Sequence, residues 1–294
     1  CETYTQAGIL PTVKFSQITD DLWRRDFSVN AIAISLSSDQ FEQVLDPTNG
    51  IADLEGKRIR VLHAESFSDD PTRIFRALRY AVRFQFQIET ETEKLMQSAI
   101  DRIGILSDAR IRNEIERIFQ EACVVEIMQW LSALGICQAI CSQWQLPSDF
   151  ESIWHNLQSH LEWAERHLDN DVLNAEALPW MALNLPSTGQ ERLSLPGRLR
   201  QKLVAHKELA QRLLYEPLTP MMKPSQIYQF LKPHPIEALV YHLPQPQIEQ
   251  YLTQLRRIKP NRTGNDLIAD GWTAGPNLAQ ALWEDFARQL DKCG

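Results

Sequence analysis

Strand-like patterning in this sequence stops before residue 56, and apolar residues recur at helical spacing through nearly everything that follows. Two runs, NAIAISL (30–36) and FEQVLD (41–46), flank the polar turn SSDQ and read as a β-hairpin, with PTNG at 47–50 as a further turn. A lone two-stranded hairpin is marginal in water, so this one reads as the remnant of a larger sheet. Ahead of it, residues 1–17 read as extended and are broken by Gly8 and Pro11, and Thr19 is placed to cap a short helix through DDLWRRD. Helices are predicted over 71–84, 90–100, 107–120, 123–135, 148–168, 174–184, 196–214, 224–231, 246–257 and 276–290. Prolines punctuate the later ones, since proline ends or starts a helix but does not continue it. The expected fold class is mostly α with a small α+β N-terminal part.

At 294 residues the chain is long enough for about two domains. With 44% apolar and 23% charged residues it has the composition of a globular protein rather than a disordered one. No window approaches the ~18 consecutive apolar residues of a membrane helix, so no membrane partner is expected. The N-terminal residues lack the basic stretch and apolar run of a signal peptide. The five cysteines, Cys1, Cys123, Cys137, Cys141 and Cys293, are odd in number and scattered, unlike a disulfide scaffold. Cys137 and Cys141 have no second Cys/His pair at zinc spacing and read as buried helix thiols, which points to a reducing, cytoplasmic setting. His155 and His160, five apart, make a poor metal pair. Trp130, Trp144, Trp154, Trp163, Trp180 and Trp283 fall in helical patterns and read mostly as core.

The net charge of -8 hides a strong asymmetry. Residues 121–190 carry -8 on their own, whereas residues 191–262 carry +7. A basic segment inside an acidic chain is either a solvated helical face or a local surface for a polyanion.

Two segments hold the residues best suited to chemistry. In DLWRRDFSVNAIAI (21–34), Arg24, Arg25 and Asp26 precede an apolar strand. They read as a surface ion-pair cluster, or as an arginine reaching a phosphate beside a carboxylate that accepts from a ribose hydroxyl. In SFSDDPTRIFRALRYAVRFQF (66–86), Asp70 suits a helix N-cap and Pro71 the first helical position. Arg73, Arg76, Arg79 and Arg83 then fall within an arc of about 120° on one helix face, opposite Ile74, Leu78, Ala81 and Val82. Four guanidiniums on one face repel unless neutralised, either by carboxylates or by phosphates and bases. Asp70 and Arg73 are three apart and therefore close. A carboxylate only accepts and a guanidinium only donates. Such a pair matches the amino group and ring nitrogen on the pairing edge of adenine or cytosine, and mismatches guanine and uracil.

These segments resemble the class II tRNA nucleotidyltransferases, the CCA-adding and poly(A) polymerase family. RRDFSVNAIAI is similar to that family's RRDF(T/S)xNA segment, DPTNGIADL to its DPxxGxxDL turn, and DDPTRIFRALRYAVRF to its EDxxR motif and the arginine helix after it. LSDARIRNEIERIF (106–119) resembles the helix closing its neck domain, and TGNDLIADGWTAGPNLAQALWEDF (263–286) a tail segment of bacterial members. Asp69 stands where the family usually has Glu. The resemblance implies that Arg25 and Asp26 contact the incoming nucleotide, with Asp26 near the ribose. Asp70 and Arg73 would read the base, and Arg76 and Arg79 would hold phosphates or the RNA end. It implies four parts: residues 1–56 as the rear of a nucleotidyltransferase head, 57–122 as a nucleotide-reading neck, 123–215 as a helical body and 216–294 as a tRNA-binding tail. ATP and CTP would be the substrates, the acceptor end of tRNA the partner, and Mg²⁺ the cofactor. The family's phosphate-binding GGxxRD segment and its metal-binding DxD pair are not found in this sequence. No residue of this chain is therefore expected to bind the metal, Glu2, Asp20 and Asp21 lacking the spacing, and the chain is expected to begin after those carboxylates and to be inactive alone. The activity implied is addition of C and/or A to a tRNA 3′ end. The alternatives are a non-catalytic RNA-binding module of the same descent and a poly(A) polymerase.

Overall fold

A computed structural model gives the structure of the chain. It describes residues 17–169 and 173–292, together with two short strands at 2–3 and 12–13. Gly8, Pro11, Cys1 and Cys293 lie outside the described residues. Two compact units are present, one formed by residues 1–146 and 186–194, the other by residues 147–185 and 195–294.

The first unit begins with β1 (Glu2–Thr3) and β2 (Thr12–Val13), an antiparallel pair. Helix α1 (Ile18–Leu22) follows, and its N-cap is Gln17 rather than Thr19, whose position falls inside the first turn. The predicted hairpin is present but short: β3 (Ala33–Ile34) pairs antiparallel with β4 (Val44–Leu45). Ile34, Leu36, Phe41 and Val44 on it are exposed. The PTNG turn runs directly into α2 (Gly50–Glu55). Asp46 caps it, accepting from the backbone N–H of Gly50 at 2.7 Å and of Ile51 at 2.9 Å. Although burial opposes its charge, these hydrogen bonds hold the Asp46 carboxyl below the usual aspartate range. A Cβ on Gly50 would lie 2.1 Å from the Ser28 carbonyl oxygen, so only glycine lets this helix start against the 3-10 turn Ser28–Asn30.

β5 (Arg58–Ile59) pairs in parallel with β6 (Gln87–Ile88), a ladder beyond the stretch expected to hold strands. Two-residue strands show no alternation, so periodicity does not reveal them. Between them lie α3 (Ser66–Asp69) and α4 (Thr72–Phe84). The rest of the unit is α5 (Thr90–Ser98), α6 (Asp108–Phe119), α7 (Val124–Ala133), α8 (Ile136–Ile140) and, after the second unit's first helices, one further short helix. Ile74, Phe75, Ala77 and Leu78 of α4 are fully buried and pack toward α6 and α7. Ile111, Ile115 and Ile118 of α6 are fully buried as well.

The second unit holds α9 (Phe150–His167) and α10 (Ala177–Ala182). The chain then contributes α11 (Ser187–Arg192) to the first unit, where Arg192 donates to Asp108 at 2.5 Å. It returns with α12 (Gly197–Tyr215), α13 (Pro224–Leu231), α14 (Ile236–Tyr241), α15 (Pro246–Thr253), α16 (Gly264–Ala269) and α17 (Pro276–Asp291). Pro224, Pro246 and Pro276 open their helices where no intrahelical N–H is needed. α8, α11, α14 and α16 are too short for sequence periodicity to separate from loop. No helix among the described residues is long and apolar enough to cross a membrane.

Trp144, Trp154 and Trp180 are core residues, whereas Trp163 and Trp283 are half-buried and Trp130 is exposed. Cys137 is fully buried and burial pushes its thiol up to about 12. Cys141 lies at the extended C-cap of α8, only partly buried and 3.3 Å from the Thr188 hydroxyl, so of the two only Cys137 is the buried helix thiol expected. His155 is exposed and bonded to the Glu151 carbonyl oxygen, while His160 is buried.

Candidate functional site

A cleft of about 660 Å³ opens in the first unit. It is lined by Arg25, Asp26, Asn30, Asp70, Thr72, Arg73, Arg76, Tyr80, Arg110, Asn113, Glu114 and Arg117. Five arginines against three carboxylates make it an anion-attracting concavity of nucleotide size.

Its walls come from three segments. The first is the turn after α1. Its backbone is pinned from behind by the DPTNGIADL stretch: Ser28 donates to buried Asp53 at 2.7 Å, and Arg60 donates to the other oxygen of that carboxylate at 2.7 Å. Arg25 donates to Asp21 at 2.7 Å, one helical turn back, and that hydrogen bond holds the Asp21 carboxyl below its ordinary value.

The second wall is the start of α4. Asp70 Oδ1 accepts from the Thr72 backbone N–H at 3.0 Å and from the Thr72 hydroxyl at 2.7 Å; the helix itself begins one residue later than expected, at Thr72 with Pro71 as its N-cap. Arg110 Nη2 donates to the same oxygen at 2.7 Å. All three use Oδ1, and among the described residues Oδ2 keeps its acceptor sites. Arg73, one turn on, donates through Nη1 to the Ser66 hydroxyl at 2.5 Å and through Nη2 to the Arg24 carbonyl oxygen at 3.2 Å. Three N–H groups of its guanidinium are left.

Asp26 and Arg76 meet across the cleft. Arg76 Nε donates to Asp26 Oδ2 at 2.6 Å, and Asp26 Oδ1 accepts from Asn30 at 2.8 Å and from the Phe27 backbone N–H at 3.0 Å. Burial opposes the Arg76 charge, but the attraction of Asp26 and its hydrogen bond outweigh it and raise the guanidinium pKa above its ordinary value. The Arg76 guanidinium also lies over the Tyr80 ring, 5.4 Å from its centroid.

Arg79 departs from the expected ridge. It is buried away from the cleft lining, donating through Nε to Glu121 at 3.0 Å and through Nη1 to Glu114 at 3.2 Å. Arg83 also binds Glu121, with Nε at 2.7 Å from Oε2 and a second contact from Nη2 to Oε1. The physical reason is packing: α6 and the chain after it bring Glu114 and Glu121 against the later arginines of α4. Burial opposes ionisation of Glu121, yet the two arginines hold its carboxyl below the usual glutamate range. Of the six predicted residues, the cleft thus gathers Arg25, Asp26, Asp70, Arg73 and Arg76.

The third wall is one face of α6, which sequence reading did not assign to the site. Arg110, Asn113, Glu114 and Arg117 recur at helical spacing opposite Ile111, Ile115 and Ile118, and that polar stripe was the available signal. Arg117 donates to Glu114 at 2.6 Å, completing a chain of charges from the cleft to the buried Arg79.

Known proteins share this architecture. A family profile described as "Poly A polymerase head domain" matches residues 2–60, and another, "Probable RNA and SrmB- binding site of polymerase A", matches residues 85–145. The A-adding tRNA nucleotidyltransferase of Halalkalibacterium halodurans is 30% identical over 307 residues, which are 98% of this chain and 68% of that protein. The chain belongs to the tRNA nucleotidyltransferase and poly(A) polymerase family. The A-adding tRNA nucleotidyltransferase of Geobacter sulfurreducens is 31% identical over 303 residues, 96% of this chain but 34% of its own length. The chain therefore spans about a third of that relative. A solved structure of a CCA-adding enzyme with ATP superposes with a TM-score of 0.77 at 27% identity, covering 93% of this chain and 68% of the other. Asp70 and the four arginines of α4 fall between the two matched profile regions.

Proposed function

We propose that this chain carries the nucleotide-reading and RNA-holding parts of a tRNA nucleotidyltransferase that adds A, or C and A, to a tRNA 3′ end from ATP and CTP. The observation that carries this reading is that Asp70 and Arg73, three residues apart, line one cleft with Arg25 and Arg76. The amino group of adenine or cytosine donates to Asp70, and the adjacent ring nitrogen accepts from Arg73. Guanine and uracil present an oxygen to the carboxylate and an N–H to the guanidinium, so both contacts become repulsive. Arg25 and Arg76 supply charge for the triphosphate. Asp26, already taken up by Arg76 and Asn30, acts on the nucleotide by orienting Arg76.

Among the described residues no group of three or more His, Cys, Asp or Glu could hold a metal ion. The Mg²⁺ that the family resemblance implies does not fit them, and no step is derived through it. The four-part organisation is retained as a functional proposal, with base reading in 57–122 and the tRNA arm held by the body and the basic stretch of 191–262. A cytoplasmic setting is proposed with it. Relatives matching along nearly the whole chain carry the name A-adding, which favours A as the added nucleotide.

The test is tRNA lacking its CCA end, incubated with this chain, labelled ATP and CTP, and Mg²⁺. Retention of that tRNA, with ATP and CTP bound in preference to GTP and UTP, supports the reading. Indifference to both the tRNA and the base contradicts it. Where label is incorporated, a defined CCA end or single A, rather than a run of A, separates this reading from a poly(A) polymerase.

A further inference from the structure

The base-reading pair has a residue behind it that touches both members. Ser66, in α3, is 0% exposed. Its hydroxyl accepts from Arg73 Nη1 at 2.5 Å, and its main-chain carbonyl oxygen accepts from the Asp70 backbone N–H at 3.2 Å. One buried residue therefore fixes the position of the carboxylate's backbone and the rotation of the guanidinium.

That rotation matters chemically. An arginine side chain has many rotamers, and its planar fork donates in whichever direction it points. Discrimination requires a donor opposite the ring nitrogen and none opposite the exocyclic position. A loose guanidinium swings far enough to donate to the exocyclic oxygen of guanine or uracil, turning the mismatch into a contact. Two anchors prevent this here. The Arg24 carbonyl oxygen, at 3.2 Å from Nη2, is main chain and insensitive to side-chain identity. The Ser66 hydroxyl is the side-chain anchor, and because it is buried no bulk water stands ready to replace it.

We propose that Ser66 is a positioning residue for base selection: its hydroxyl locks the Arg73 guanidinium in the orientation that accepts adenine and cytosine and refuses guanine and uracil. The proposal rests on the reading of Asp70 and Arg73 as the base-contacting pair. It differs from a packing role in what it predicts. Loss of packing weakens all four nucleotides alike, whereas loss of the lock changes their ratio.

The experiment is equilibrium binding of ATP, CTP, GTP and UTP to the full 294-residue chain, to Ser66→Ala and to Ser66→Cys. The cysteine variant fills nearly the same space with a much weaker acceptor, so it reports on the hydrogen bond should alanine unfold the unit. The expected result is a fall of about ten-fold or more in the preference for ATP and CTP over GTP and UTP in both variants, the scale of a hydrogen bond to a charged group. An unchanged ratio in a folded variant, with or without a uniform loss of affinity, overturns the role of Ser66 while leaving the Asp70–Arg73 reading intact. No preference in the unaltered chain overturns that reading and this inference with it.

Discussion

The two units differ in the polarity they bury most. Behind the cleft the first unit buries full charges and pairs each one: Arg79 with Glu114 and Glu121, and Asp53 with Arg58 and Arg60. The second unit buries one paired charge, Glu237 with Lys202, and beside it holds a set of buried or half-buried imidazoles toward the neutral form. His206 and His242 stack with ring centroids 5.0 Å apart, Tyr241 meets His206 edge-on at 4.3 Å, and burial lowers the pKa of His160, His206, His234 and His242. Each of the four histidines has a buried ring nitrogen without a protein partner. The difference teaches what each arrangement of buried polarity can do. Paired buried charges form a rigid electrostatic floor beneath a cleft that must hold arginines in place. Neutral imidazoles fill space, and they tie the second unit's stability to pH.

The largest expected effect breaks the first half of that contrast. Glu121→Ala removes a carboxylate that is 4% exposed and leaves Arg79 buried with one partner fewer. A loss of about 3 kcal/mol or more is expected in urea unfolding, the cost of stranding a buried charge. A loss under about 1 kcal/mol would show that the pairing contributes nothing beyond its surface neighbours.

The next effect concerns pH. Burial, with smaller repulsion from His242 and Lys207, lowers His206 from an ordinary 6.5 to about 3. Between those values the unfolded chain binds a proton that the folded chain does not. Stability is therefore complete above the unfolded pKa and declines as pH falls toward 3. At pH 5 His206 alone accounts for ~2 kcal/mol. Glu121 responds only at lower pH, because its folded pKa lies below the glutamate range and its stabilising ionisation is lost as pH falls through that lowered value. Urea titrations at pH 7 and pH 5 should differ most in the unfolding of residues 147–185 and 195–294, and His206→Gln should shrink that difference.

Smaller still is the stability effect of Arg73→Ala, expected at about 1 kcal/mol because it strips the buried Ser66 hydroxyl of its donor. Its binding effect should be larger, a loss of preference for ATP and CTP. At the bottom is Lys94→Ala, which breaks a surface pair with Glu91 that is 67% and 65% exposed. A change of ~0.3 kcal/mol is expected, disappearing in high salt.

Much of this was readable in the chain. The α4 arginines and the apolar positions opposite them specify a helix with one wet and one dry face, and Asp70 before Pro71 marks its start. The paired strands β5 and β6 were not readable, because two residues per strand leave no period and their partnership spans almost thirty residues. At the site, Asp70, Arg73 and Arg76 follow from local spacing. Arg79 does not, because identical residues on one helix face separate into exposed and buried only when α6 and Glu121 arrive. The contribution of α6 was present as a polar stripe, but only tertiary packing shows which cleft it faces. The histidine cluster was invisible for the same reason: His160 and His206 lie far in sequence from His234 and His242, and packing alone brings them together.

The central claim is that Asp70 and Arg73 together choose the base. The direct measurement is competition of GTP and UTP against ATP and CTP for the unaltered chain and for Asp70→Ala with Arg73→Ala. The account predicts a clear preference for ATP and CTP in the former and its loss in the double variant. Continued exclusion of GTP and UTP with both side chains gone would contradict it.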